Sequence, residues 1–409
     1  MTINIDAIRE AAQTIAGVVV RTPSVAAPAL SAASGADVVL KLENMQITGS
    51  FKPRGALVKL SSLDKTERRG GVVAASAGNH AQGVAHHARR LGIGATIVMP
   101  HDTPFNKVAR TEADQATVVL HGETLSESRD HAVALAEKQG AVFVSPYDDE
   151  RIIVGQGTIG LEMLADDPDL EVLIIPIGGG GLISGIATAA TAINPKIEIV
   201  GVQTALYPSM VQALAGETPN SGGQTVAEGI AVKAPGILTT PIVKRLVSDI
   251  LLVEETAIET AVQTYLQVQR IVAEGAGAAS LAALMENRSR FEGRRVGLVV
   301  SGGNIDARLL SFILLRGLAR EGRIVRLRIQ ISDMPGLLAK VSSLIGDAGG
   351  NIVEVYHQRL YYDVPVKQAE LDVVVETLDA LHVQRIVENL NDAGFRVRQL
   401  SGTTAGDSG

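Results

Sequence analysis

Val172-Leu173-Ile174-Ile175-Pro176-Ile177-Gly178-Gly179-Gly180-Gly181-Leu182 decides the fold class. Its first four residues are apolar without a polar interruption, the pattern of a strand buried on both faces. Four glycines then open a helix. The same succession occurs twice more, where residues 72–75 run into Ser76-Ala77-Gly78-Asn79-His80 and residues 296–300 into Ser301-Gly302-Gly303-Asn304. Further short apolar runs lie at 38–42, 95–99, 118–120, 142–144, 197–202 and 250–253. Helical spacing marks 5–16, 81–91 and 126–138 between them. Uniformly apolar strands alternating with helices predict an α/β region with parallel sheets, extending to about residue 318.

In open α/β sheets ligands bind beyond the carboxyl ends of the strands. Helix N-termini there present free N–H groups and a positive dipole end to anions. Glycines 178–181 lack Cβ atoms, so their backbone N–H groups can converge on a phosphate. The Ser76–His80 turn suits a carboxylate or a phenolic oxygen. A dinucleotide site is the rival, but no G-x-G-x-x-G register fits and Glu198 alternates inside a strand rather than ending one. His80 by itself reads as a packing or capping residue. His86 and His87 are assigned to a solvated helix face, and Lys41 and Lys65 to solvent. Neither metal-ligand spacing nor a G-x-S-x-G nucleophile turn is present. Lys52 stands apart: in Thr48-Gly49-Ser50-Phe51-Lys52-Pro53-Arg54-Gly55-Ala56 it sits between an aromatic and a proline, a plausible setting for a reactive amine.

The chain has 409 residues, enough for two or three domains. A net charge of -7 and the lack of basic runs argue against nucleic acid. With no cysteine, thiol catalysis and thiolate metal sites are excluded. The N-terminus lacks a signal-peptide pattern, and the apolar run 172–190 is broken by Pro176 and the glycines, so no membrane partner and a cytoplasmic location are expected. Beyond a linker at 319–322, residues 325–331 alternate strictly. Helices at 337–348 and 380–393 and strands near 352–358, 369–375 and 395–400 complete a βαββαβ, ferredoxin-like order. The last eight residues are small and polar, and a disordered tail is expected at 403–409.

These motifs resemble the threonine/serine dehydratase family of fold-type II pyridoxal-phosphate enzymes. The resemblance runs from Arg21-Thr22-Pro23 to Ser301-Gly302-Gly303-Asn304, with Gly155-Gln156-Gly157-Thr158 as a further match. It implies a tryptophan synthase β-like fold with two open parallel-sheet subdomains. The catalytic part would span 1–320, with a small subdomain at about 49–144 inserted in the large one. Residues 325–402, with Pro335-Gly336-Leu337-Leu338, resemble an ACT regulatory domain. Lys52 would carry pyridoxal phosphate as a Schiff base and act as the base on Cα. Phe51 would lie against the ring, Asn79 would bond the ring hydroxyl, and Gly178, Gly179, Gly180, Gly181 and Leu182 would hold the phosphate. Ser301 would meet the pyridine nitrogen, and Ser76, Gly78 and His80 would surround the substrate carboxylate.

A neutral Ser301 protonates the ring nitrogen poorly, which disfavours a long-lived carbanion and favours loss of the β-hydroxyl. The resemblance therefore implies a threonine ammonia-lyase giving 2-oxobutanoate and ammonia, with serine going to pyruvate. Serine racemases of the family carry a second serine where this chain has Ala77. They also bind a divalent cation through acids where it has Gln203-Thr204-Ala205-Leu206-Tyr207-Pro208-Ser209. A threo-3-hydroxyaspartate dehydratase, a racemase and, from another class, an inactive amino-acid sensor are the alternatives. An amino-acid effector near Asp333, Gly336, Leu337, Asn351 and Ile352, a link to isoleucine biosynthesis, and a homodimer or homotetramer are further expectations.

Overall fold

The apolar runs become the strands of three sheets. The computed structural model describes residues 2–358 and 368–400. In chain order the strands are β1 (Ser24–Ala26), β2 (Asp37–Leu42), β3 (Val72–Ala75), β4 (Ala95–Met99), β5 (Thr117–Leu120), β6 (Val142–Phe143), β7 (Val172–Pro176), β8 (Glu198–Thr204), β9 (Asp249–Val253), β10 (Arg295–Val300), β11 (Ile324–Ser332), β12 (Asn351–Gln358), β13 (Gln368–Glu376) and β14 (Arg396–Gln399). One sheet has the order β1-β2-β10-β7-β8-β9, a second β5-β4-β3-β6, and a third β12-β13-β11-β14. All pairings in the first two are parallel except β1 with β2. Every residue of β3 and β7 is buried, as strands covered on both faces require.

Three helices next to the sheets touch backbone to backbone. They are Lys52–Ser61, Glu150–Asp166 and Gly181–Ile193. A Cβ on Gly155 would stand 2.5 Å from the Cα of Gly55, and one on Gly185 would stand 2.5 Å from the Gly157 nitrogen and collide with the Ile153 carbonyl. The Gly155-Gln156-Gly157-Thr158 motif is therefore a packing device. Gln156 adds a hydrogen bond, its Oε1 accepting from the Gly55 N–H at 3.3 Å. The ladder fixes the start of the Lys52 helix relative to the start of the tetraglycine helix. Gly185→Ala is expected to cost about 2–3 kcal/mol by overpacking, read as a lowered urea midpoint. An unchanged midpoint would contradict this packing.

Two groups assigned to solvent turn inward. Lys41 is fully buried, its Nζ donating to the Thr22 carbonyl at 2.7 Å and to Glu162 at 2.6 Å. The strand β2 is covered on both faces, and Glu162 supplies the countercharge that makes a buried lysine tolerable. His87 is also wholly buried, because its helix (Asn79–Leu91) is covered on more than one side.

The chain divides into two compact units, Met1–Ile305 and Asp306–Gly409. This division falls upstream of the linker expected at 319–322. The helix Ala307–Arg320 lies in the second unit, where Asp306 caps it by accepting from the Arg308 and Leu309 N–H groups, and it runs almost directly into β11.

The rest of that unit has the order β11, helix Leu337–Asp347, β12, β13, helix Ala380–Asp392, β14, with antiparallel pairing throughout. Val325, Leu327, Ile329 and Ile331 point to a core shared with Leu371, Val373 and both helices. On the opposite face Asp372 is buried between Arg326 and Arg328, which donate to it at 2.7–2.9 Å. The tail expected to be disordered lies outside the described residues. Among the described residues no helix is long and apolar enough to cross a membrane.

Candidate active site

The sheet order brings together what the sequence separates. The strands β2, β10 and β7 are consecutive neighbours and parallel. Their carboxyl ends therefore deliver the Lys52 stretch, the Ser301 turn and the tetraglycine side by side. A bridge between Ser50 and Gly302 stitches the first two, with Phe51 N–H donating to the Ser301 carbonyl at 3.1 Å and Gly303 N–H to Gly49 at 2.9 Å. The central strand β3 of the second sheet supplies Ser76, Gly78 and His80.

Lys52 is the first residue of its helix. Pro53 needs no amide hydrogen in a first turn and its fixed φ suits the position. The half-buried Nζ donates to the Pro146 carbonyl at 2.9 Å and lies 5.1 Å from the centre of the Phe51 ring. Burial pushes the amine down to about 8, against an opposing pull from Glu274. At pH ~7 about a tenth of such an amine is neutral, against roughly one in three thousand for an ordinary lysine.

Gly178 to Leu182 form the turn into the Gly181–Ile193 helix, with Gly180 at φ +96°, a conformation that disfavours any side chain. The Tyr147 ring covers Gly179, and a Cβ there would collide with it. Thr239 Oγ1 donates to the Gly179 carbonyl at 2.6 Å, holding the turn from below. Ser301 is buried at the end of β10. Ser76 is buried too, its Oγ accepting from the Gly78 N–H at 3.1 Å. His80 donates from Nε2 to the Val144 carbonyl at 2.9 Å, tying this loop to the chain after β6.

Sequence reasoning missed two parts of the site. Glu274 lies at the N-terminus of the helix Gly275–Glu286, its N–H donating to the Gly302 carbonyl at 3.0 Å and its Oε1 accepting from Asn79 Nδ2 at 2.7 Å. A Cβ on Gly277 would strike that same carbonyl, so the glycines after Glu274 were the available signal. The other part is 145–149. Here Pro146 holds Lys52, Tyr147 covers the cradle, and Asp148 accepts from the N–H groups of Ile237 and Leu238 at 3.0 and 2.8 Å.

Burial also displaces three titrating groups. It pushes His80 and His87 down to about 3, helped by Lys52 and His86 respectively, and pushes Glu274 up to about 7. Below 6.5 the unfolded chain takes up two protons on these histidines that the folded chain refuses, so stability falls with pH. Glu274 acts in the opposite sense: from about 7 down towards 4.5 the folded chain holds a proton that the unfolded one does not. The net excess from these three groups is one proton, worth about 1.4 kcal/mol per pH unit. In protein stripped of any ligand, Glu274→Gln is expected to steepen the loss by about that amount again between about pH 5 and 6. Urea titrations at several pH values measure it; equal slopes would contradict the assignment.

A family model described as pyridoxal-phosphate dependent enzyme matches residues 15–302. The chain belongs to that family. Its relatives include L-threonine ammonia-lyase of Thermotoga maritima, 44% identical over 398 residues, covering 97% of this chain and 99% of that protein. Among solved structures it is similar to the threonine deaminase of T.th., with TM-score 0.70, 37% identity and coverage of 74% of this chain and 99% of that one. Maize serine racemase is also similar, with TM-score 0.72, 34% identity and coverage of 79% and 100%. The enzyme's cofactor is pyridoxal phosphate. The residues present suit it: an amine on a carbonyl rather than on a carboxylate, a glycine turn that excludes side chains at a helix N-terminus, and an amide on Asn79.

Proposed function

We propose that this pyridoxal-phosphate dependent enzyme is a threonine ammonia-lyase, converting L-threonine to 2-oxobutanoate and ammonia and L-serine to pyruvate. The observation that carries the reading is the placement of Lys52. Its amine is half-buried, pushed towards neutrality and held on the Pro146 carbonyl between the Ser76 loop and Glu274. The near full-length similarity to an L-threonine ammonia-lyase supports it.

Bound pyridoxal phosphate supplies a sink for the electron pair released at Cα. In the proposed arrangement Gly178 to Leu182 hold the phosphate at the helix N-terminus, and Phe51 packs against the ring. Asn79 would donate to the phenolic oxygen of the ring, and Ser301 would meet the ring nitrogen without charging it. Ser76, Gly78 and the neutral His80 line the carboxylate side. Freed from Pro146, Lys52 Nζ accepts the Cα proton. The β-hydroxyl would then leave as water, the proton taken from Cα balancing the one it gains, and one water would hydrolyse the released enamine to the 2-oxo acid and ammonia.

Despite the similarity to a serine racemase, Ala77 offers no hydroxyl where serine racemases of the family carry their second serine. Gln203 is engaged in structure, its Oε1 accepting from the Met210 and Val211 N–H groups at 3.1 and 3.2 Å. Among the described residues no cluster of three or more His, Cys, Asp or Glu is placed to hold a metal ion. Purified enzyme is expected to form 2-oxobutanoate from threonine faster than it racemises serine; the reverse order would overturn the reading.

The C-terminal βαββαβ unit is proposed to be an ACT module, binding an amino acid near Asp333, Gly336, Leu337, Asn351 and Ile352 in a homo-oligomer. Its ferredoxin-like order and the reach of the relative's similarity across it support this. A branched-chain amino acid should shift the kinetics or the melting temperature of the full chain. If no amino acid in a panel does so, the module is structural only.

A further inference from the structure

The orientation of one amide at this site follows from counting hydrogen bonds, and the count starts at a backbone carbonyl. The Thr48 carbonyl can only accept, and Asn304 Nδ2 lies 2.6 Å from it. That end of the Asn304 amide is therefore its NH₂. The same nitrogen lies 2.8 Å from Asn79 Oδ1 and spends its second hydrogen there. Asn79 thus turns its oxygen towards Asn304, and its nitrogen reaches Glu274 Oε1 at 2.7 Å. Gly49, at φ +74°, gives Asn304 its place: a Cβ there would stand 2.5 Å from Asn304 Oδ1.

The count leaves one group over. Asn79 has two amide hydrogens and Glu274 takes one. A carbonyl oxygen with one donor is satisfied, whereas a leftover N–H in a half-buried site needs an acceptor. We propose that Asn304 is a positioning residue, holding Asn79 so that its remaining N–H donates to the phenolic oxygen of the pyridoxal ring and keeps that oxygen deprotonated. The inference rests on the reading of this site as the pyridoxal phosphate site. Had Asn79 faced the other way, its carbonyl would meet the ring oxygen and require a proton on it. The amide orientation thus sets where the proton shared by the ring oxygen and the lysine-bound nitrogen resides. Glu274 is the second support, and either a carboxylate or an amide oxygen can accept there.

The test uses the full-length holoenzyme, with the visible spectrum followed against pH and the cofactor dissociation constant measured by dialysis and reconstitution. Wild type should show a long-wavelength band that persists across the range. Asn304→Asp keeps the shape of the side chain and loses the N–H groups. It should transfer intensity to the shorter-wavelength, oxygen-protonated form and weaken cofactor binding about tenfold, the loss expected for one hydrogen bond to a charged acceptor. Asn304→Ala should move the spectrum in the same direction. Glu274→Gln should keep the wild-type spectrum, since an amide oxygen still accepts from Asn79. Asn79→Asp acts at the same bond without touching Thr48 and serves if the Asn304 variants do not fold; it too should shift the band. Unshifted bands and unchanged cofactor affinity in the folded variants would overturn the proposal. A wild-type protein that shows no cofactor band would instead overturn the reading on which it rests.

Discussion

Lys52→Ala is expected to lower 2-oxobutanoate production from threonine by at least ~1000-fold, with the protein still folded. The substitution removes both the amine that carries the cofactor and the base that takes the Cα proton. Lys52 Nζ donates to a single backbone carbonyl and the side chain is only partly buried, so little stability depends on it. The melting temperature of the cofactor-free protein should therefore change little while turnover disappears. Among the described residues three other lysines are engaged in ion pairs, Lys59 with Asp149 at 2.6 Å, Lys41 with Glu162 and Lys107 with Glu228 at 2.7 Å. Turnover within tenfold of wild type would contradict the role given to Lys52.

The second large effect is on stability. Arg54 is fully buried, and its guanidinium donates to both Glu43 oxygens at 2.8 Å and to both Glu162 oxygens at 2.7 and 2.8 Å. Burial alone would raise the Glu43 carboxyl, yet Arg54 holds it below the usual carboxylate range. Arg54→Met would leave Glu43 without its hydrogen-bonded countercharge in a site closed to water, with Lys41 as the remaining nearby cation. The expected cost is about 3–5 kcal/mol, a large part of the ~5–15 kcal/mol that holds a typical domain together. Urea denaturation measures it, and adding Glu43→Gln should recover part of the loss. A cost below about 1 kcal/mol would show that the pair is hydrated after all. Because Arg54 lies two residues from Lys52 on one helix, this network also anchors the reactive amine.

Much of this organisation was legible in the chain. The buried stretches of β3, β7 and β10 carry no polar side chain, so these strands stand out. The turns after them show because glycine clusters are rare without a backbone requirement. Lys52 is conspicuous through its neighbours. What escaped reading depends on contacts far apart in sequence. Glu274 meets Asn79 across 195 positions, and only the glycines that follow it distinguish it locally from an ordinary helix-start acid. Lys41 reads as solvated because its charge suggests water, and only the fold brings Glu162 to it. The inward turn of His87 depends on the packing of its helix. Tyr147 and Asp148 follow a two-residue strand whose end is set by pairing with β3.

The central claim is that Lys52 carries the cofactor, and the most direct measurement is reductive trapping. Purified protein is reconstituted with pyridoxal phosphate, reduced with borohydride, digested and mapped by mass spectrometry. The structure predicts one stoichiometric phosphopyridoxyl adduct, on Lys52, with loss of the visible cofactor band. A stoichiometric adduct on any other lysine, or none despite added cofactor, would contradict it.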